Sequence, residues 1–459
     1  MSLLGPLVPG GVALPVDCPP GAPRRCAGRL REWSRLEWRV GDGGDPAALV
    51  TTFLEDAGLR VGDLSPTRVN GSSRQHGPDD GLCGAALLVS AAAGAVLAGG
   101  APGPASPATA VPDVVAVVYG HGPPARHGQV PAVCCGQGAA ARPWPPAAAG
   151  RWGRGLVTGL RVADGDGGAG WPQGGGGARG WPQGGGGAGG WRVGAWVPSW
   201  DPAEHAAAVA KVREAISRGD VYQVNLVGHA SAPWAGDPSR ALRRVAALSG
   251  ARYGGVVSGA GWLVACASPE TLVQVVAGRV RTGPIKGTRP ATVEGRAQLL
   301  ASAKERAEHV MIVDLVRNDL GRVATTGSVR VDELYAVRRW CDLWQAESVV
   351  SARLAAGVGL AGLLRAVCPA GSVTGAPKLA AVDTIARLEP VGRGPSMGAL
   401  GWVAADRVDL GLTIRTVALD EQRAHVWAGG GVTWGSDPAA EVAEAAAKAA
   451  PLLAALGGA

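Results

Sequence analysis

The sequence predicts an α+β fold in which mixed or antiparallel sheets carry helices on their outer faces. Two observations predict it. From about residue 201, short segments of strand character give way to helical periods and then to strands again, the signature of layered sheet and helix. At 459 residues with 47% apolar content, the chain can also build a substantial core, as one large domain or two to three smaller ones.

Taken in order, residues 1–160 are rich in Gly, Ala and Pro, with weak periodicity. Residues 161–195 contain two near-copies of GWPQGGGGA, at 170–178 and 180–188, and read as a low-complexity insertion too short for a solenoid. The third unit spans 196–459. It opens with Asp201-Pro202, an N-cap followed by Pro at the first helical position, so a helix should run to about Arg218. Strands are expected at 222–228, 253–258, 262–267, 271–277 and 279–281, with a helix near 238–248. Further helices fit 293–318, broken near Ser302, then 360–367, 377–388 and 437–455. The apolar run 85–101 is interrupted by Ser90 and falls short of the ~20 apolar residues of a membrane span; it reads as buried strands.

Charge and cysteine content exclude several classes. The net charge of +7 comes from 44 basic and 37 acidic residues scattered along the chain, with no stripe or tail for nucleic acid. The eight cysteines show no C-x-x-C spacing, and a chain this long needs no disulfide framework, so a reducing cytoplasm is expected. The N-terminus lacks the pattern of a signal peptide. Only five residues are lysines, among them Lys286.

Candidate chemistry begins with acidic pairs. Glu305 and Glu308 lie three apart on one predicted helix face, and Glu441 and Glu444 repeat the device on the last helix. Such pairs are ordinarily solvated helix faces, but two of them together suit a hard ion such as Mg²⁺. Gly371-Ser372-Val373-Thr374-Gly375-Ala376-Pro377-Lys378 and Gly429-Gly430-Gly431 offer backbone N–H groups for an anion, or simply tight turns. Arg415, in a strand-like pattern, could clamp a carboxylate or form a cross-strand salt bridge.

Four segments in order then carry a resemblance: Thr282-Gly283-Pro284-Ile285-Lys286-Gly287-Thr288-Arg289-Pro290, the Glu308 helix running into Asp314-Leu315-Val316-Arg317-Asn318-Asp319, the Gly371 to Lys378 loop, and Ala428-Gly429-Gly430-Gly431. From about Tyr222 onward the chain resembles the chorismate-utilising enzymes, such as the component I subunits of anthranilate and aminodeoxychorismate synthases. The resemblance implies a two-layer sandwich fold, with residues 1–160 as a divergent N-terminal part of it. Sequences resembling anthranilate synthases carry a small residue after Pro-Ile, and the aminodeoxychorismate type carries lysine, here Lys286. The implied mechanism has Mg²⁺ on Glu308 and Glu444 orienting the ring carboxylate, with Glu305 and Glu441 beside them. Lys286 adds to the ring, Glu270 protonates the departing hydroxyl, and ammonia displaces the lysine. Gln223 stands where water-using relatives keep a lysine base. Thr288, Thr374, Gly375, Ala376, Lys378, Trp402, Arg415 and the glycine run are the implied chorismate-binding residues.

Two positions depart from relatives. Gln345 replaces a histidine linked to pyruvate loss, and Gln shuttles no proton at pH 7; Trp402 replaces a Tyr. Val133-Cys134-Cys135-Gly136-Gln137 has the wrong spacing for a glutaminase nucleophile, and no His-x-Glu partner follows. Ammonia is therefore expected from a separate glutamine amidotransferase subunit in a heterodimer. No lyase domain follows, so the product should stop at aminodeoxychorismate. Rival readings are an anthranilate-forming enzyme and a non-catalytic chorismate-binding subunit. No motif for a regulatory tryptophan site is evident.

Overall fold

The computed structural model describes residues 30–65, 82–120, 190–405 and 407–457. The nonapeptide copies and the Cys134-Cys135 segment lie outside the described residues.

Local chemistry sets the helices. Asp201 caps the helix Pro202–Ser217: its carboxylate accepts from the Glu204 N–H, and the Glu204 carboxylate accepts from the Asp201 N–H, each at 2.8 Å. Ser302 breaks a later helical segment into Val293–Ala301 and Ala303–Gly321, and its hydroxyl caps the second through the Glu305 N–H. The final helix is Pro438–Gly457. The run 85–101 is not all strand. It divides into the strand Leu82–Val89 and the helix Ala91–Leu97, because the Ser90 hydroxyl accepts from the Ala93 N–H and starts a helix there. Among the described residues, no helix is long and apolar enough to cross a membrane.

Two antiparallel sheets form the body. The first has ten strands, in the order Arg31–Trp38, Val114–Gly120, Leu82–Val89, Ala399–Ala404, Arg407–Leu412, Thr271–Val276, Arg279–Gly283, Leu343–Arg353 and Ile285–Pro290, with Arg330–Trp340 also paired to Leu343–Arg353. The second has eight, centred on Gln223–Ala235 and Arg423–Val432, followed by Thr416–Leu419, Trp262–Ser268 and Tyr253–Gly259. Residues on both sides of the expected division at 195/196 share the first sheet and its core, since Leu82–Val89 pairs with Ala399–Ala404.

Two of the chain's changes of sheet lie side by side. The chain passes from the second sheet to the first between Ser268 and Thr271, and returns between Leu412 and Thr416. The two links are bonded together: the Leu412 N–H donates to the Glu270 carbonyl and the Ala267 N–H to the Arg415 carbonyl, both at 3.0 Å. Arg415, expected inside a strand, instead occupies the second link at φ 55°, because the extended run must break where the chain leaves one sheet for the other.

Candidate active site

Lys286 and Glu270 lie buried together. The Lys286 ammonium donates to the Ser372 carbonyl at 3.0 Å, and the Ser372 hydroxyl donates to Glu270 Oε1 at 2.6 Å, so one serine holds both side chains. Burial pushes the Glu270 carboxyl up to about 7, against the pull of the Ser372 hydrogen bond and the Lys286 charge. Burial lowers the Lys286 ammonium too, aided by the nearby Lys448 charge and opposed by Glu308, Glu270 and Glu444. An acid that keeps its proton near neutrality thus stands beside an amine that loses its own more readily, which suits a proton donor next to a nucleophile.

The glycine run, read as a turn or a backbone cradle, is not a turn. Gly429, Gly430 and Gly431 are extended strand paired on one side with Val227, Leu226 and Asn225, while pairing to Thr416–Leu419 on the other side stops at Val426 and the Gly429 carbonyl accepts from the Lys448 ammonium at 2.9 Å. What they supply is space. A Cβ on Gly431 would stand 2.5 Å from Gln223 Nε2 and 2.6 Å from Lys286 Nζ, and one on Gly430 would stand 2.9 Å from Glu441 and 3.7 Å from Glu444. The glycines therefore mark where the amine, the amide and the acidic helix converge.

The acidic pairs of the two helices meet here. Thr433 donates to Glu308 at 3.0 Å, Lys304 lies 3.6 Å from Glu308 and 3.9 Å from Glu441, and Lys448 reaches Glu444 at 2.6 Å. Burial raises Glu441 to about 7, helped by the Glu444 charge, and burial with the Glu308 and Glu444 charges raises Glu305. Glu444 is lowered instead: Lys448 and Lys286 outweigh its burial. Among the described residues, no three acidic, His or Cys side chains stand close enough to share one metal ion. Mg²⁺ typically uses one or two carboxylates plus water and substrate oxygens, and these mutually repelling, oxygen-only groups fit it on those terms.

The remaining predicted residues divide. Gln223 is fully buried with both amide atoms unpartnered, a neutral group beside Lys286 left for a ligand. Arg415 is buried with its Nε unpartnered, and its guanidinium lies 4.6 Å over the Trp340 ring. Thr374 and Ala376 spend their carbonyls on the Asn225 and Tyr222 N–H groups, each at 2.7 Å, and Gly375 pairs with Val224. Lys378 is committed to an ion pair, its ammonium 2.9 Å from both Asp319 oxygens. Thr288 lies on the strand Ile285–Pro290 in register with Gln345, whose Oε1 is buried and unpartnered. Trp402 belongs to the core of the first sheet, stacked on Tyr119 at 5.9 Å, and the structure does not bring it to Lys286.

Sequence reasoning missed Ser372, Thr433 and Lys448 as members of this group. Ser372 stood inside a quoted loop, and Lys448 follows Glu444 by four residues on one helix face, a spacing that announces an ion pair. Nothing local marks Thr433.

The chorismate binding enzyme family matches residues 187–454. Anthranilate synthase component 1 of Streptomyces coelicolor is 41% identical over 269 residues, covering 57% of this chain and 53% of that protein. Aminodeoxychorismate synthase component 1 of Klebsiella aerogenes is 37% identical over 257 residues, 54% of this chain and 57% of that protein. The chain thus spans about half the length of the curated relatives it matches. The crystal structure of anthranilate synthase component I from Streptococcus pneumoniae shares the fold, with a TM-score of 0.65, 23% identity and coverage of 97% of this chain and 95% of that one. With that match across more than half of its length, the chain belongs to the chorismate binding enzyme family.

Proposed function

We propose that the protein is the chorismate-aminating component of an aminodeoxychorismate synthase. The observation that carries this reading is the buried Lys286 amine, with its lowered proton affinity, beside a Glu270 carboxyl raised to about 7. The Lys286 nitrogen bonds to the ring carbon as the C–O bond breaks, and the hydroxyl leaves as water with the Glu270 proton. Ammonia then adds at that carbon, the lysine departs as the neutral amine while its nitrogen still carries both protons, and the new ammonium returns one proton to the Glu270 carboxylate. Gln223, uncharged, leaves water unactivated and so favours ammonia. Glu308 and Glu444, with Glu305 and Glu441 behind them, would hold Mg²⁺, which when bound neutralises the substrate carboxylate. Ammonia would come from a separate glutamine amidotransferase subunit in the cytoplasm.

A second reading, anthranilate formation, is favoured by the 41% identity to the Streptomyces coelicolor enzyme. Mass analysis of the product from chorismate, Mg²⁺ and ammonium salt decides between them. The expected product has NH₂ in place of OH and keeps its pyruvyl enol ether; anthranilate with free pyruvate would overturn the proposal. Lys286→Ala should fold normally and lose amination, whereas unchanged turnover would remove the lysine from the mechanism.

A further inference from the structure

Away from the reacting groups, a buried ion pair links three segments. Arg393 donates through Nε to Glu389 Oε2 at 2.8 Å and through Nη2 to Glu389 Oε1 at 2.6 Å. The same guanidinium donates to the Val373 carbonyl and the Asn225 carbonyl, each at 2.6 Å. Glu389 Oε1 in turn accepts from the Val227 N–H at 2.9 Å. Both side chains are at most 7% exposed.

The backbone partners fall on two segments of the site. Val373 follows Ser372, whose carbonyl and hydroxyl hold Lys286 and Glu270. Asn225 and Val227 lie on the strand that begins at Gln223. A pair serving stability alone is often replaceable by apolar residues at little cost. This one ties the Val373 carbonyl to the Asn225 carbonyl, on the Ser372 side of the backbone bonds that join Thr374 to Asn225 and Gly375 to Val224.

We infer that Arg393, braced by Glu389, is a positioning residue that acts through Val373 and Ser372 to set the geometry of the Lys286–Glu270 pair. The inference rests on that pair being the reacting one. Arg393→Lys keeps the charge and loses the fork. A misplacement on the scale of 1 Å should lower kcat by about 10²-fold while KM for chorismate changes less than about threefold. Ser372 donates to the ionised form of Glu270, so loosening it favours the protonated form. The alkaline limb of the pH profile should therefore move to higher pH. A wild-type kcat with a wild-type profile overturns the inference.

A second readout does not depend on amination. Carbamylation of Lys286 by cyanate, followed against pH by peptide mass, should show its midpoint at lower pH in Arg393→Lys, because the ammonium loses its carbonyl acceptor. An unmoved midpoint overturns the inference even if the wild-type protein aminates nothing, and that second outcome would overturn only the proposed function. Should Arg393→Lys fail to fold, the neutral double variant Arg393→Met/Glu389→Gln takes the same measurements with the same expectations.

Discussion

Glu270 shows how one side chain acquires a working acidity from its surroundings. Burial raises it to about 7, while the Ser372 hydroxyl and the Lys286 ammonium draw it back. A carboxyl that must deliver a proton works while protonated, so turnover should be highest below about pH 7 and fall as pH rises through that value. Glu270→Gln should cost about 10²–10⁴-fold in kcat and abolish that alkaline fall; a variant retaining the wild-type profile would assign the limb to another group. The resemblance named Glu270, but its acidity was not legible, since the burial comes from two sheets distant in sequence. Trp402 and Lys378 show the opposite limit: a motif places a residue in a segment without saying what its side chain meets. Asp319, which occupies Lys378, lies 59 residues away in sequence.

Among the elements, the strand Arg423–Val432 is the informative one. Glycine weakens a strand, and the usual inference from a glycine run is a turn. Here Gly430 and Gly431 hold ordinary extended backbone, outside the positive-φ region, so alanine fits the conformation and fails only on space. Gly431→Ala should therefore fold with unchanged or higher thermal stability, yet lose about 10²-fold or more in activity by displacing Lys286 or Gln223. Equal activity would show that the amine does not need its present position. The helix Pro202–Ser217 was legible from its cap, Asp201, because capping is written within four residues, and the break near Ser302 was expected without its cap. The hairpin Arg330–Trp340 and Leu343–Arg353 escaped notice, as did the sheet change at Arg415, because pairing and sheet exchange depend on partners far along the chain.

For the molecule as a whole, the first sheet joins the N-terminal strands to the strands of the C-terminal half. Leu82–Val89 covers one edge of Ala399–Ala404, and Tyr119 stacks on Trp402. A chain beginning at residue 190 would leave that strand edge and that tryptophan without partners, an exposed apolar edge of the kind that aggregates. Expressed alone, residues 190–459 should be insoluble or associated on a sizing column, while the full chain is not; a stable, soluble monomer of that fragment would show the sheet to be divisible. The general layering of strands and helices was legible from periodicity and the resemblance put residues 1–160 in the same fold, but which strands share one sheet was not legible, because the N-terminal segment carries little periodic signal.

The paired links between the sheets carry one more consequence. Glu270 rides on one link and Arg415 on the other, stitched by reciprocal backbone bonds, so the buried carboxyl and the buried guanidinium sit on the seam itself. A slip of one layer against the other would therefore move both groups together.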